Sequence, residues 1–154
     1  MKALILGTNA GQADIISYLK QKGWEVHACG YRQEGPGCDL ADEFHLADTL
    51  DVGAVKELTK DIKPDIIYSV SSDSAIKTVT KVAEALGLPH FLNSELIDLF
   101  DHKEKLRLFL NDNEISKVGF MTLAETGGQF FPVLSNLLIH RDNVECVWLN
   151  KKKI

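Results

Sequence analysis

The stretch that most limits what this chain can become is residues 3–19. Ala3, Leu4, Ile5 and Leu6 make an apolar run as long as one buried strand, Gly7 ends it, Gly11 follows in the turn, and a helical pattern begins at once. Free backbone N–H groups in such a loop, and the positive end of the helix, point at one spot beyond the strand. That spot suits a phosphate or a carboxylate. The same glycines also serve the plain tight turn of any strand–helix–strand unit, and the residues alone leave both readings open.

Periodicity carries the pattern along the chain. Residues 12–22 place Ile15, Ile16 and Leu19 on one helical face and stop at Gly23, residues 24–29 read as a second strand, and residues 44–47 as a short third. Between them the run QEGPGCD, residues 33–39, predicts a surface loop. Residues 52–62 form a helix closed by Pro64, residues 65–70 a fourth strand, and residues 74–86 a helix closed by Gly87 and Pro89. A fifth strand is expected at residues 90–93. Ser94 is then expected to cap a helix over 95–100, with another at 103–110. Alternation at this pace predicts an α/β fold, a doubly wound parallel sheet of about five strands in three layers, α/β/α. Its ligand crevice lies at the carboxyl ends of the strands, where the strand order reverses.

Size and charge narrow the partners. A chain of 154 residues, 45% hydrophobic, is ordinary for one globular domain, and a net charge of −5 disfavours nucleic acid and anionic membranes. A small-molecule or protein partner is expected. Cys29, Cys38 and Cys146 form neither a disulfide framework nor a zinc motif, and no apolar run approaches 18 residues, so reduced thiols and a cytoplasmic location are expected.

A dinucleotide site needs G-x-G-x-x-G and an acidic residue after the second strand. Here Asn9 replaces the second glycine and Cys29-Gly30-Tyr31-Arg32 ends the strand, so NAD is disfavoured and Arg32 alone keeps NADP open. His27, His45 and His90 have no catalytic spacing and read as packing or surface residues. Asp14 reads as a first-turn helix carboxylate, and Asp73 either caps the next helix or meets a ligand. No metal ligands are assigned.

Four segments, ILGTNAGQ, PGCDLADEFH, SSDSA and LGLPHFLNSELIDLFDHKEKLRLFLNDNEI, resemble the N-terminal, Rossmann-like (pre-ATP-grasp) domain of ATP-grasp ligases over residues 1–123. The family includes biotin carboxylase, carbamoyl phosphate synthase and purine-biosynthesis ligases. It makes an acyl phosphate from ATP and a carboxylate, then passes the acyl group to an amine. The resemblance implies a domain over 1–113, a linker over 114–134 and an atypical tail over 135–154. It implies a substrate site at Gly7, Thr8, Asn9, Ala10, Gly11, Tyr31, Arg32, Ser71, Ser72 and Asp73 for a carboxylate or phosphate ligand. Lys103 falls on the family lysine that reaches the nucleotide phosphates. His102 stands where the family has Asp or Asn, and Glu114 where it has glycine, which leaves Asn113 to supply a left-handed cap. No cofactor is expected in this chain, since the family holds ATP and magnesium in later domains, and a truncated product without turnover is implied. A regulatory or homo-oligomerising module is the other class of reading.

Phe131-Pro132-Val133-Leu134 matches a family strand that continues Val-Lys-Pro, but the chain departs from it at Ser135. Read one nucleotide earlier, residues 135–150 permit Val-Lys-Pro-Thr-Asp-Ser-Ser-Gly-Gln-Arg-Gly-Val-Cys-Leu-Val-Lys, which resembles the family strand and lid loop. Translation out of frame is therefore expected here, with an apolar arm over 133–139 lacking its sheet.

Overall fold

The computed structural model describes residues 1–116 and the backbone of two short strands, Phe120–Thr122 and Cys146–Trp148. The chain divides into two units, Met1–Ser94 and Glu95–Ile154.

In the first unit, β1 (Lys2–Leu6), β2 (Glu25–Gly30), β3 (Glu43–Leu46) and β4 (Ile66–Tyr68) form a parallel sheet in the order β3-β2-β1-β4. Ala3, Leu4 and Ile5 pair with Val26, His27 and Ala28 on one side and with Ile66, Ile67 and Tyr68 on the other. The order reverses at β1, which places the switch point between β1 and β4.

Strand alternation splits the core in two. Leu4, Leu6, Cys29 and Ile67 face α3 (Val52–Ile62) and α4 (Asp73–Leu86), packing with Val55, Ile62, Val79 and Val82. Ala3, Ile5, Val26 and Ala28 face the other way and pack with Ile16 of α1 (Ala10–Gln21). All four β1 residues from Ala3 to Leu6 are fully buried, as a central strand covered on both faces requires. Helix ends follow local chemistry. Asp51 caps α3, Lys63 closes it in the left-handed region at φ 51°, and Gly87 closes α4 at φ 65°.

Several expectations are corrected. The segment 33–39 is not all loop: α2 (Pro36–Leu40) begins within it, with proline at a position where a helix has an orphan N–H to spare. Residues 90–93 form no strand, so the described sheet has four. Pro89 has no N–H to give a ladder, and the N–H and hydroxyl of Ser94 both go to the Glu84 carboxylate. Ser94 is accordingly the first residue of α5 (Ser94–Asp101) rather than its cap. Helix α1 starts two residues earlier than the pattern suggests, so Asp14 lies beyond its first turn.

In the second unit, α6 (Lys103–Asp112) starts after His102, whose ring hydrogen-bonds the Asp98 carbonyl at 2.7 Å instead of capping. Asn113 is not left-handed. Its side-chain amide donates to the Phe109 carbonyl, and Glu114 takes the left-handed position at φ 56°. Strands β5 (Phe120–Thr122) and β6 (Cys146–Trp148) pair antiparallel, Met121 opposite Val147. The arm expected over 133–139, and residues 135–145 and 149–154 of the tail, lie outside the described residues. Among the described residues no helix is long and apolar enough to cross a membrane.

Candidate ligand site at the strand switch point

Two loops meet where the strand order reverses. Gly7, leaving β1 at φ 100°, donates its N–H to the Cys29 carbonyl at 2.8 Å and turns the chain toward α1. Asn9 caps that helix. Its Oδ1 accepts from the N–H groups of Gly11 (2.9 Å) and Gln12 (3.3 Å), while Gln12 Oε1 accepts from the Asn9 N–H at 3.1 Å. The reciprocal pair is a capping box built from two amides. Gln12 is fully buried, and its Nε2 donates across the crevice to the Val70 carbonyl beyond β4.

The second loop follows β4. Ser69 Oγ donates to the Leu6 carbonyl at 2.7 Å, tying the ends of β1 and β4 together. Ser71 is held in the left-handed region at φ 58°. A Cβ placed on Gly11 would stand 2.5 Å from Ser71 Oγ and 3.1 Å from Ser71 Cβ, so the second glycine of the β1 loop lets the Ser71 side chain pack against it. Ser72 Oγ accepts from the Ala75 N–H at 3.3 Å and caps α4, which leaves Asp73 exposed as the first residue of that helix. The capping role open to Asp73 belongs to Ser72.

The segment after β2 closes over Thr8 from the other side. Thr8 Oγ1 donates to the Glu34 carbonyl at 2.7 Å, and the Gly37 N–H donates to the Thr8 carbonyl at 2.9 Å. Gly35 and Gly37 allow this approach, since a Cβ on either would meet Thr8 backbone at 2.5 and 2.8 Å. Tyr31 and Arg32 follow β2 directly, both exposed, with the guanidinium 5.3 Å from the Tyr31 ring centre.

Gly7, Thr8, Asn9, Ala10 and Gly11 thus lie in one loop beside that of Ser71, Ser72 and Asp73, at the neighbouring carboxyl ends of β1 and β4. Tyr31 and Arg32 stand at the end of β2, on the other side of β1. Lys103 opens α6 in the second unit and is exposed. Asn9 consumes two of the helix N-terminal donors. The N–H groups of Thr8 and Ala10 make no hydrogen bond to a described residue. With the Asn9 amide and the Ser71 hydroxyl they are the donors a bound anion would meet. Burial pushes the Cys29 thiol up to about 12, so it is no nucleophile for this site.

Sequence reasoning missed Gln12, Gly35 and Gly37. The N-x-x-Q spacing of Asn9 and Gln12 carried the capping signal, and the Gly-Pro-Gly run marked a close approach that only a tertiary neighbour, Thr8, explains. His27 and His45, expected as packing or surface residues, are brought together by the register of β2 and β3, with Nδ1 of His27 and Nε2 of His45 2.9 Å apart.

No family model matches the chain. Phosphoribosylglycinamide synthetase from Anaerococcus prevotii superposes with a TM-score of 0.73 at 20% identity, over 93% of this chain and 37% of that one. N5-carboxyaminoimidazole ribonucleotide synthetase from Thermotoga maritima does so with 0.67 at 18%, over 82% and 34%. The fold is that of the N-terminal domain of ATP-grasp ligases. Among curated proteins, formate-dependent phosphoribosylglycinamide formyltransferase of Methanococcus maripaludis is 33% identical over 79 residues, which is 51% of this chain and 20% of that protein. Methionine adenosyltransferase 2 subunit beta of Xenopus tropicalis is 30% identical over 96 residues, 61% of this chain and 27% of that protein. The chain thus spans about a quarter or less of these curated relatives. Relatives with such different names show that likeness over part of this chain does not by itself fix a chemistry.

Proposed function

We propose that this chain is the substrate-binding N-terminal domain of an ATP-dependent carboxylate–amine ligase. The observation that carries the proposal is the closeness of Gly11 to Ser71, which draws the β1 and β4 loops into one crevice at the switch point, where open α/β sheets take their ligands. The unpartnered donors there suit a phosphate or carboxylate group. Three of the similar proteins named above act, by name, on phosphoribosyl or ribonucleotide compounds, which supports a phosphorylated substrate. Arg32 supplies a cation beside the same strand ends. In this proposal phosphoryl transfer belongs to an ATP-grasp domain that binds ATP and magnesium, and Lys103 reaches the phosphates of the nucleotide bound there. The protein works in the cytoplasm.

A second reading, an NADP-binding domain, rests on Arg32 standing exposed after β2, where a ribose 2′-phosphate would meet it. Calorimetric titration of the full chain with inorganic phosphate, a non-hydrolysable ATP analogue and NADPH separates the two. Phosphate binding, with NADPH no tighter than phosphate, is the expected result. Tight NADPH binding without phosphate binding would overturn the proposal in favour of the second reading.

A further inference from the structure

A cluster of metal-binding donors lies away from the crevice. His27 of β2 and Glu43 and His45 of β3 share the sheet face that carries Cys29, because residues two apart on a strand point the same way and the register sets His27 opposite Glu43. His27 Nδ1 stands 2.9 Å from His45 Nε2 and 3.6 Å from Glu43 Oε2, and His45 Nε2 stands 4.0 Å from the same oxygen. Donors bonded to one tetrahedral Zn2+ at about 2.0–2.1 Å sit about 3.3 Å apart, so two edges of the observed triangle need adjustments of a few tenths of an ångström and the His45–Glu43 edge about twice that, which an exposed Glu43 side chain can supply. Among the described residues this is the one group of three such side chains whose donor atoms all lie within 4.8 Å of one another.

The outer partner is also in place. His27 Nε2 is 2.9 Å from Glu25 Oε1, an oxygen that can only accept, so the proton sits on Nε2 and the Nδ1 lone pair faces His45 and Glu43. Lys2 Nζ, 2.9 Å from the same Glu25 oxygen, neutralises that carboxylate and leaves Glu25 to orient the ring rather than bind an ion. His27 is buried, His45 half-buried and Glu43 exposed on edge strand β3, so the donors are held on the inside and open on the outside.

From this geometry we infer that His27 Nδ1, His45 Nε2 and a Glu43 oxygen form a binding site for a divalent transition ion of the Zn2+ class, with Glu25 as positioning residue. Two imidazoles and one carboxylate select Zn2+, Co2+ or Ni2+ over Mg2+ and Ca2+, which prefer oxygen donors. On loading, His45 gives up its Nε2 proton and carries one on Nδ1 instead, and water fills the outward position. The site lies three residues before the end of β2, about 10 Å from the crevice, and bonds the edge strand to the inner one.

Equilibrium dialysis of the full chain against Zn2+ alone tests the assignment. One ion per chain is expected, with a rise in the thermal unfolding midpoint as Zn2+ is added. Glu25→Gln should weaken binding by roughly 10–100-fold, and Glu43→Ala and His45→Ala by more, while His90→Ala and His102→Ala bind as the parent does. Glu43 is exposed, so Glu43→Ala keeps the test valid should His45→Ala not fold. Co2+ should give strong visible absorption without a thiolate charge-transfer band. No Zn2+ uptake, unchanged uptake in folded Glu43→Ala, or a thiolate band would each overturn the assignment.

Discussion

Asn9 and Gln12 satisfy one another at the start of α1, each side-chain oxygen accepting from the other's backbone N–H, and Gln12 alone continues to the Val70 carbonyl on the far loop. Replacing Asn9 by alanine removes a cap and is expected to lower stability by about 1 kcal/mol. Gln12→Ala also strands donors and acceptors around a fully buried side chain, which costs roughly 1–3 kcal/mol for unmet polar groups before any loss of packing. Urea unfolding of the two variants should rank Gln12→Ala as the more damaging. Equal losses would mean the bridge to Val70 contributes nothing.

Gly11 and Ser71 form a steric pair. Gly11→Ala brings a Cβ to within 2.5 Å of Ser71 Oγ, and forcing the two apart should cost roughly 1–3 kcal/mol and weaken anion binding at the crevice. Ser71→Gly removes the hydroxyl and suits φ 58°, so alone it should be close to neutral in stability. The double variant Gly11→Ala/Ser71→Gly should recover most of the lost stability. A double-mutant cycle with no coupling would contradict the close approach.

Glu84 anchors the start of α5 through its carboxylate. The Ser94 hydroxyl first, then the Ser94 N–H, holds the Glu84 carboxyl below its ordinary value of 4.5. A carboxyl lowered in the folded state adds stability that is present above pH 4.5 and is lost as pH falls through its folded value. Asp42, lowered first by the Val26 N–H and then by Lys20, acts in the same sense below 3.8. The unfolding midpoint of Glu84→Gln should therefore lie below that of the parent at pH 7, and the gap should close below pH 4.5. A gap that persists unchanged into acid would exclude the carboxylate as its cause.

The tail makes a prediction outside the protein. If residues 135–150 are read out of frame, the gene around codons 134–136 must carry third bases that spell a Val-Lys-Pro strand and a Ser/Gly-rich loop in the frame one nucleotide earlier. Sequencing that region decides it. Codons that cannot spell this segment would remove the explanation for the departure at Ser135.

Much of the fold is legible from period and punctuation. The apolar run from Ala3 to Leu6, the helical stripe of Val55, Leu58 and Ile62, and the stop at Gly87 are local signals that the tertiary structure keeps. What the residues could not show depends on partners distant in sequence. The run at residues 90–93 looks like a strand until Glu84 takes the Ser94 donors, and the Gly-Pro-Gly segment looks like free loop until Thr8 occupies the space its glycines leave. The candidate crevice was visible as a position, the ends of β1 and β4, but not as a hydrogen-bond pattern. The sequence marks Asn9 as a missing glycine and a substrate contact, whereas its use of the Gly11 and Gln12 donors follows from side-chain geometry. His27, Glu43 and His45 became neighbours only once the register of β2 and β3 was known.

The proposed anion site rests on the loop that joins β1 to α1. Backbone amide NMR of the full chain during titration with inorganic phosphate reads that loop residue by residue. Saturable shifts of the Thr8 and Ala10 amides are expected, with Ser71 and Ser72 following at the same concentration, an affinity on the order of millimolar or tighter, and Gly11→Ala weakening it. Shifts confined to residues outside the two loops, or none at all while NADPH moves Arg32 and its neighbours, would contradict the assignment of this crevice to a ligase substrate.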